Sequence, residues 1–200
     1  MNYTHRKLIL LCTAFALMVT LNSSSFAFGS KEKSPQQKAA ESEKKATESY
    51  NNGVKQMDNA KKIASGGDST YAFNYRATSD AKAKKVYEKA VKNFETAVAL
   101  KADFPEAYNN LGYCYRKLDN LKKSLEAYHK ALELKPEFPQ ANEYLGETFL
   151  AMDSLQLALG QYQILQDLKS PYADTLMKSI EIYKLAKVSE KMNGNKNKGQ

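Results

Sequence analysis

Apolar residues recur along most of this chain at spacings of three and four, the period of a helix with one buried face. From Gln36 to Ala64 the pattern is helical, with Lys and Glu interspersed, and from Asp80 to Leu100 the residues Val86, Ala90, Phe94, Ala97 and Val98 keep the same spacing. Between them, residues 65–79 contain Gly66-Gly67-Asp68 and read as a loop. Beyond Ala102, shorter helical segments are separated by Pro105, Pro136, Pro139 and Pro171. Proline suits the first turn of a helix and not its interior, so these residues mark boundaries.

The two ends depart from this pattern. His5, Arg6 and Lys7 precede an apolar run of 14 residues, Leu8 to Leu21, and Asn22 to Ser25 is a polar break before Phe26-Ala27. Residues 1–27 therefore read as a signal peptide, because the run is short for a bilayer-spanning helix. Cleavage is expected after Ala27, with Gly29 as the other site. The rival reading is an uncleaved N-terminal anchor, with membrane contact through that segment alone. Leu11 precedes Cys12, where a lipobox has a small residue, so lipidation is not expected there. Residues 28–45 read as a polar leader and the start of the first helix, and residues 191–200, rich in Asn, Gly and Lys, as a disordered basic tail.

The chain also matches itself when shifted by 34 residues: Pro105 falls on Pro139, Leu111 on Leu145, Gly112 on Gly146 and Tyr115 on Phe149. In the second half of the unit, Ala90, Ser124 and Ala158 coincide, as do Phe94, Tyr128 and Tyr162, then Ala97, Ala131 and Leu165, and Leu100, Leu134 and Leu168. Small residues recur where helix backbones must approach, and large ones where the gaps between helices must be filled. One helix pair cannot bury its apolar face alone, so neighbouring pairs stack. The outermost pair needs a cover. Ser170-Pro171 looks like an N-cap followed by Pro at the first helical position, and Leu176, Ile180 and Tyr183 form an apolar stripe behind it. Residues 171–190 read as that capping helix.

The period and residue classes resemble the tetratricopeptide repeat (TPR) family. Tyr108, Leu111, Gly112, Tyr115, Ser124, Tyr128, Ala131 and Pro136 stand at the signature positions of one complete unit. The next unit keeps Leu145, Gly146, Phe149, Ala158 and Tyr162, and departs at Asn142, Leu165 and Ser170-Pro171. The first unit is degenerate. It keeps Ala90, Phe94 and Ala97, its first helix is expected over Thr47–Ala64, and Tyr50-Asn51-Asn52-Gly53 resembles Tyr108 to Gly112. The resemblance covers residues 46–170, interrupted by the insertion 65–79. It implies an all-α fold: an α-solenoid of antiparallel helix pairs, a TPR-like superhelix, with a C-terminal capping helix.

The resemblance also implies a binding surface, because such stacks present the first helix of each pair on a concave face. Carried over, the groove positions are Asn109, Tyr113, Arg116 and Lys117 in the complete unit and Glu143, Glu147 and Leu150 in the next. Tyr50, Val54 and Met57 would correspond in the first unit. One TPR subgroup clamps a terminal carboxylate with Asn and Lys or Arg. Asn110 matches its Asn, but Gln140 and Tyr144 stand at the later basic positions, so that clamp is not expected. Glu143 and Glu147, one turn apart, favour a basic or neutral guest at that end. The aromatic residues of the insertion, Tyr71, Phe73 and Tyr75, are a second candidate contact, on a loop.

Composition narrows the functional classes. The formal charge is +8, and about +6 without Arg6 and Lys7, but Lys alternates with Glu along the helices rather than clustering with aromatics. A nucleic-acid surface is not indicated. No phosphate loop and no His-Cys-Asp cluster with metal-ligand spacing is present, so neither a metal nor a cofactor is expected. Outside the signal segment there is one cysteine, Cys114, and one histidine, His129, read as a buried inert thiol and a surface residue. The chain is expected not to be an enzyme. It is expected to be exported to the periplasm or cell envelope of a bacterium, as an adaptor or scaffold binding a segment of another protein. The alternative is a basic protein docking electrostatically to anionic envelope polymers or membrane headgroups.

Overall fold

The computed structural model describes the backbone of residues 33–65 and 72–196, and side chains within 33–65 and 80–192. The expected signal peptide and Tyr71 lie outside the described residues, as do the side chains of Phe73 and Tyr75. The chain divides into two compact units, Met1–Lys38 and Ala39–Gln200. In the first, the described residues are the start of a helix with a reciprocal cap. Ser34 Oγ accepts from the Gln37 amide at 3.2 Å, and the Ser34 amide donates to Gln37 Oε1 at 3.0 Å.

The described residues are all-helical: α1 (Pro35–Ser65), α2 (Ala72–Leu100), α3 (Pro105–Lys117), α4 (Leu121–Leu134), α5 (Pro139–Ala151), α6 (Leu155–Asp167) and α7 (Tyr172–Lys196). Two expectations are corrected. Helix α2 begins at Ala72, inside the stretch read as a loop, because no Gly or Pro stands between Gly67 and Leu100 and a helix anchored at its packed end propagates cheaply. Helix α7 runs on to Lys196, into the stretch read as a disordered tail, for the same lack of a breaker before Gly194.

The described residues from 39 to 196 form the TPR-like solenoid, and its packing follows the repeat. A Cβ on Gly53 would lie 2.7 Å from the Phe94 ring, and one on Gly112 would lie 2.8 Å from the Tyr128 ring. Each glycine thus lets a first helix close onto the buried aromatic of its second helix. Ser124, at the small position of α4, is fully buried, and its hydroxyl donates to the Gly112 carbonyl at 2.9 Å.

The third pair differs: at Gly146 the near neighbour is Leu176 of α7, at 2.5 Å, rather than Tyr162. Tyr162 is only partly buried, and its hydroxyl accepts from Gln166 Nε2 at 2.7 Å. Leu176 and Ile180 are fully buried, so α7 closes this end of the core.

The turns repeat as well. Asp119 and Asp153, 34 residues apart, and Lys169 have positive φ of 62°, 57° and 50°. After each, the next amide bonds back to the helix: Asn120 N to Tyr115 O at 2.9 Å, Ser154 N to Phe149 O at 2.8 Å and Ser170 N to Leu165 O at 3.0 Å. These are Schellman endings, in which the left-handed residue stops one helix and reverses the chain into the next.

Candidate functional site

The first helices α1, α3 and α5 bring three of the seven expected groove residues, Tyr113, Arg116 and Lys117, together with Lys61 and Tyr144 around one ring, that of Tyr113. It is half-buried against the core that contains Tyr87 and Cys114. Tyr87 meets it edge-on at 6.1 Å between centroids, and Tyr144 of α5 lies tilted against it at 5.2 Å. Three cations surround the same ring: Lys61 Nζ at 4.8 Å, Lys117 Nζ at 5.4 Å and the Arg116 guanidinium at 5.5 Å. Lys61 comes from α1, one turn beyond Met57. Nothing in the repeat pattern marked it, because it stands past the groove positions of its own degenerate unit.

Their electrostatic states differ. Arg116 makes an ion pair with Glu147 of α5, with the two side chains only 14% and 24% exposed. Burial works against the guanidinium's charge, but the Glu147 carboxylate, Tyr128 and Tyr113 outweigh it and hold the group above its ordinary value. Glu147 also accepts from Ser179 Oγ of α7 at 3.3 Å. Lys117 has no carboxylate within ion-pair distance among the described residues. Partial desolvation and then the Arg116 charge pull its ammonium below the ordinary lysine value. Lys61 has only a loose partner, Asp58 at 3.5 Å on its own helix.

The remaining positions turn inward. Asn109 is 1% exposed, its Nδ2 donates to Gln140 Oε1 at 3.4 Å, and its Oδ1 is buried without a partner. Asn110 Nδ2 donates to the Tyr50 hydroxyl at 3.3 Å, so the residue matching the clamp asparagine is engaged by α1. Leu150 and Met57 are buried in the core. Glu143 is 3% exposed. Burial, and secondly the Glu147 charge, push its carboxyl up to about 7, with Arg116 opposing.

Asn109, Glu143 and Leu150 thus face the packing rather than open space, and Lys61, Tyr113, Lys117 and Tyr144 form the accessible centre. The carboxylates expected to repel an acidic guest are muted, one by its ion pair and one by burial. Cys114 is fully buried, and burial pushes its thiol up to about 12, while His129 is exposed. Among the described residues no three His, Cys, Asp or Glu are grouped to hold a metal ion.

Family models match two stretches: Tetratricopeptide repeat over residues 105–138, and TPR repeat over residues 83–119. No curated protein sequence matches the chain. Among solved structures, the fold is similar to the Arabidopsis OM64 TPR domain, at 14% identity and a TM-score of 0.45, covering 64% of this chain and 98% of that one. It is similar to the Hsp90 co-chaperone Cns1 from Saccharomyces cerevisiae at 16% identity and a TM-score of 0.45, covering 84% of this chain and 46% of that one. A tetratricopeptide repeat protein from Parabacteroides merdae ATCC 43184 shares 15% identity at a TM-score of 0.44, covering 74% and 60%. By the models that match it and by its repeating glycine–aromatic packing, the chain carries tetratricopeptide repeats, recognised across residues 83–138.

Proposed function

We propose that this chain is an adaptor of the bacterial cell envelope that holds a segment of another protein in the groove between α1, α3 and α5, with an acidic side chain of the guest over Tyr113. TPR-fold proteins commonly mediate protein–protein interaction, and this reading follows that precedent. The observation that carries it is the convergence of Lys61 and Lys117 on one half-buried ring, with Lys117 lacking a carboxylate partner among the described residues. Cations crowded in this way are relieved by an incoming carboxylate, and a tyrosine face is a typical anchor. The guest favoured here is therefore acidic, where the residue pattern alone favoured a basic or neutral one.

The test compares three proteins as baits in a solubilised envelope extract: the unaltered chain, Lys61→Ala/Lys117→Ala, and an outer-face control, Lys122→Ala/His129→Ala. A partner identified with the first and third should bind the groove variant at least about tenfold more weakly. Equal retention by all three would remove the groove from the function. Export is tested separately by N-terminal sequencing of the envelope protein. A start at Phe28 is expected, and a start at Met1 or Asn2 would replace the signal peptide with an anchor.

A further inference from the structure

Helix α7 carries two apolar faces, and the solenoid uses only one of them. Ala173, Leu176 and Ile180 are buried against α5 and α6. Its middle is tied down where Tyr183 Oη donates to Asp153 Oδ1 at 3.0 Å and Lys187 pairs with Asp153 at 2.7 Å. From Val188 to Met192 every residue is exposed.

The second face is Ile182, Leu185, Val188 and Met192, which are 68%, 71%, 56% and 64% exposed. At 100° per residue these four fall within a strip about 120° wide, turned by more than a right angle from the buried face. A contiguous exposed patch of large apolar side chains marks an interaction surface.

Its charge selects the occupant. Lys184 and Lys191 line one border of the strip and Lys178 stands in line with it, one turn before Ile182; all three are exposed and have no carboxylate in ion-pair range among the described residues. Of the acids nearby, Glu190 is paired with Lys187 at 3.4 Å, leaving Glu181, exposed within the strip itself next to Ile182 and outnumbered by the three lysines. A second copy of the chain would bring the same lysines together, which disfavours self-docking. An apolar strip bordered by lysines instead suits a layer that is apolar inside and anionic at its rim. No helix of the described residues is long and apolar enough to cross a membrane, so such a contact lies on the surface. We propose that the outer face of α7, from Ile182 to Met192, docks on an anionic lipid surface. This reading is independent of the groove.

The chain contains no tryptophan, so Leu185→Trp places a single tryptophan on the strip of the whole protein, whose emission can be excited apart from that of the 13 tyrosines. Mixing with phosphatidylcholine–phosphatidylglycerol vesicles should shift its emission to the blue and expose it to quenching by brominated lipid. Phosphatidylcholine vesicles alone should do so at least about tenfold less effectively. Because the emission reports on position 185, a retained N-terminal segment that merely tethers the protein leaves it unshifted.

Adding Ile182→Asp/Met192→Asp should abolish the shift, and Lys184→Glu/Lys191→Glu should weaken partitioning at least about tenfold, with helix content and melting unchanged. An emission that stays solvent-exposed with anionic vesicles overturns the proposal. So does an equal shift with neutral vesicles, or a shift without lipid that grows with protein concentration, which would assign the face to a second copy.

Discussion

Glu143→Gln should make this protein more stable at alkaline pH, and by an amount that depends on pH. The Glu143 carboxyl is almost wholly buried, faces Glu147 on its own helix and Arg116 on α3, and is pushed from 4.5 to about 7 by burial first. At about 1.4 kcal/mol per tenfold change, that displacement makes the ionised form cost about 3 kcal/mol in the folded state. The folded value lies above the unfolded one, so the folded state holds the proton more tightly. This contribution is harmless below about pH 4.5, grows through the window up to about 7, and is constant above it. The amide keeps the shape and removes the charge.

Urea unfolding followed by helix circular dichroism at pH 4, 6 and 8 would measure this. The variant should match the unaltered protein at the acid end and exceed it by about 2–3 kcal/mol at the alkaline end, after allowing for an imperfectly paired amide. Other acids titrate in both proteins and largely cancel in the difference. A stability difference that does not change with pH would refute the reasoning, since it would mean the buried carboxylate is accommodated without penalty.

Three further outcomes are expected. Gly112→Ala should destabilise by about 1–3 kcal/mol in the same unfolding assay, because its Cβ would lie 2.8 Å from the buried Tyr128 ring, whereas Gly160→Ala, with open space around it, should gain up to about 1 kcal/mol from helix propensity. Asp119→Gly should stabilise by about 0.5–1 kcal/mol by relieving the positive φ; Asp153→Gly at the equivalent turn should gain less, or lose, because it gives up Tyr183 and Lys187. Cys114 should resist thiol reagents at pH 8 in the folded protein and react once it is unfolded in urea, as a buried thiol pushed up to about 12 must.

Much of the fold was legible in the residues, because a repeat writes its packing several times. The match of Gly112 with Gly146 and the placing of Ser124 at a small position announced close helix contacts, and Gly112 and Ser124 make them. Pro105 and Pro139 stand at helix starts, where their fixed geometry is useful. The end of the solenoid was less legible. Tyr162 occupies the position of Tyr128 but is not inserted in its way, because Leu176 of α7 reaches Gly146 instead. No property of Tyr162 itself carries that information; it depends on which neighbour arrives.

The candidate groove divides along the same line. Sequence alone determined which residues of each first helix share a face, since residues spaced by three and four do so whatever packs around them, and the resemblance implied that this face is the inner one. Only the tertiary structure decided their state. It joined Arg116 to Glu147 across two helices, buried Glu143, engaged Asn110 with Tyr50, and brought Lys61 from a helix more than fifty residues away onto Tyr113. It also left the second face of α7 uncovered. Periodicity is a property of one helix, whereas ion pairing, desolvation and exposure are properties of the distances between helices, and those are set only when the stack closes.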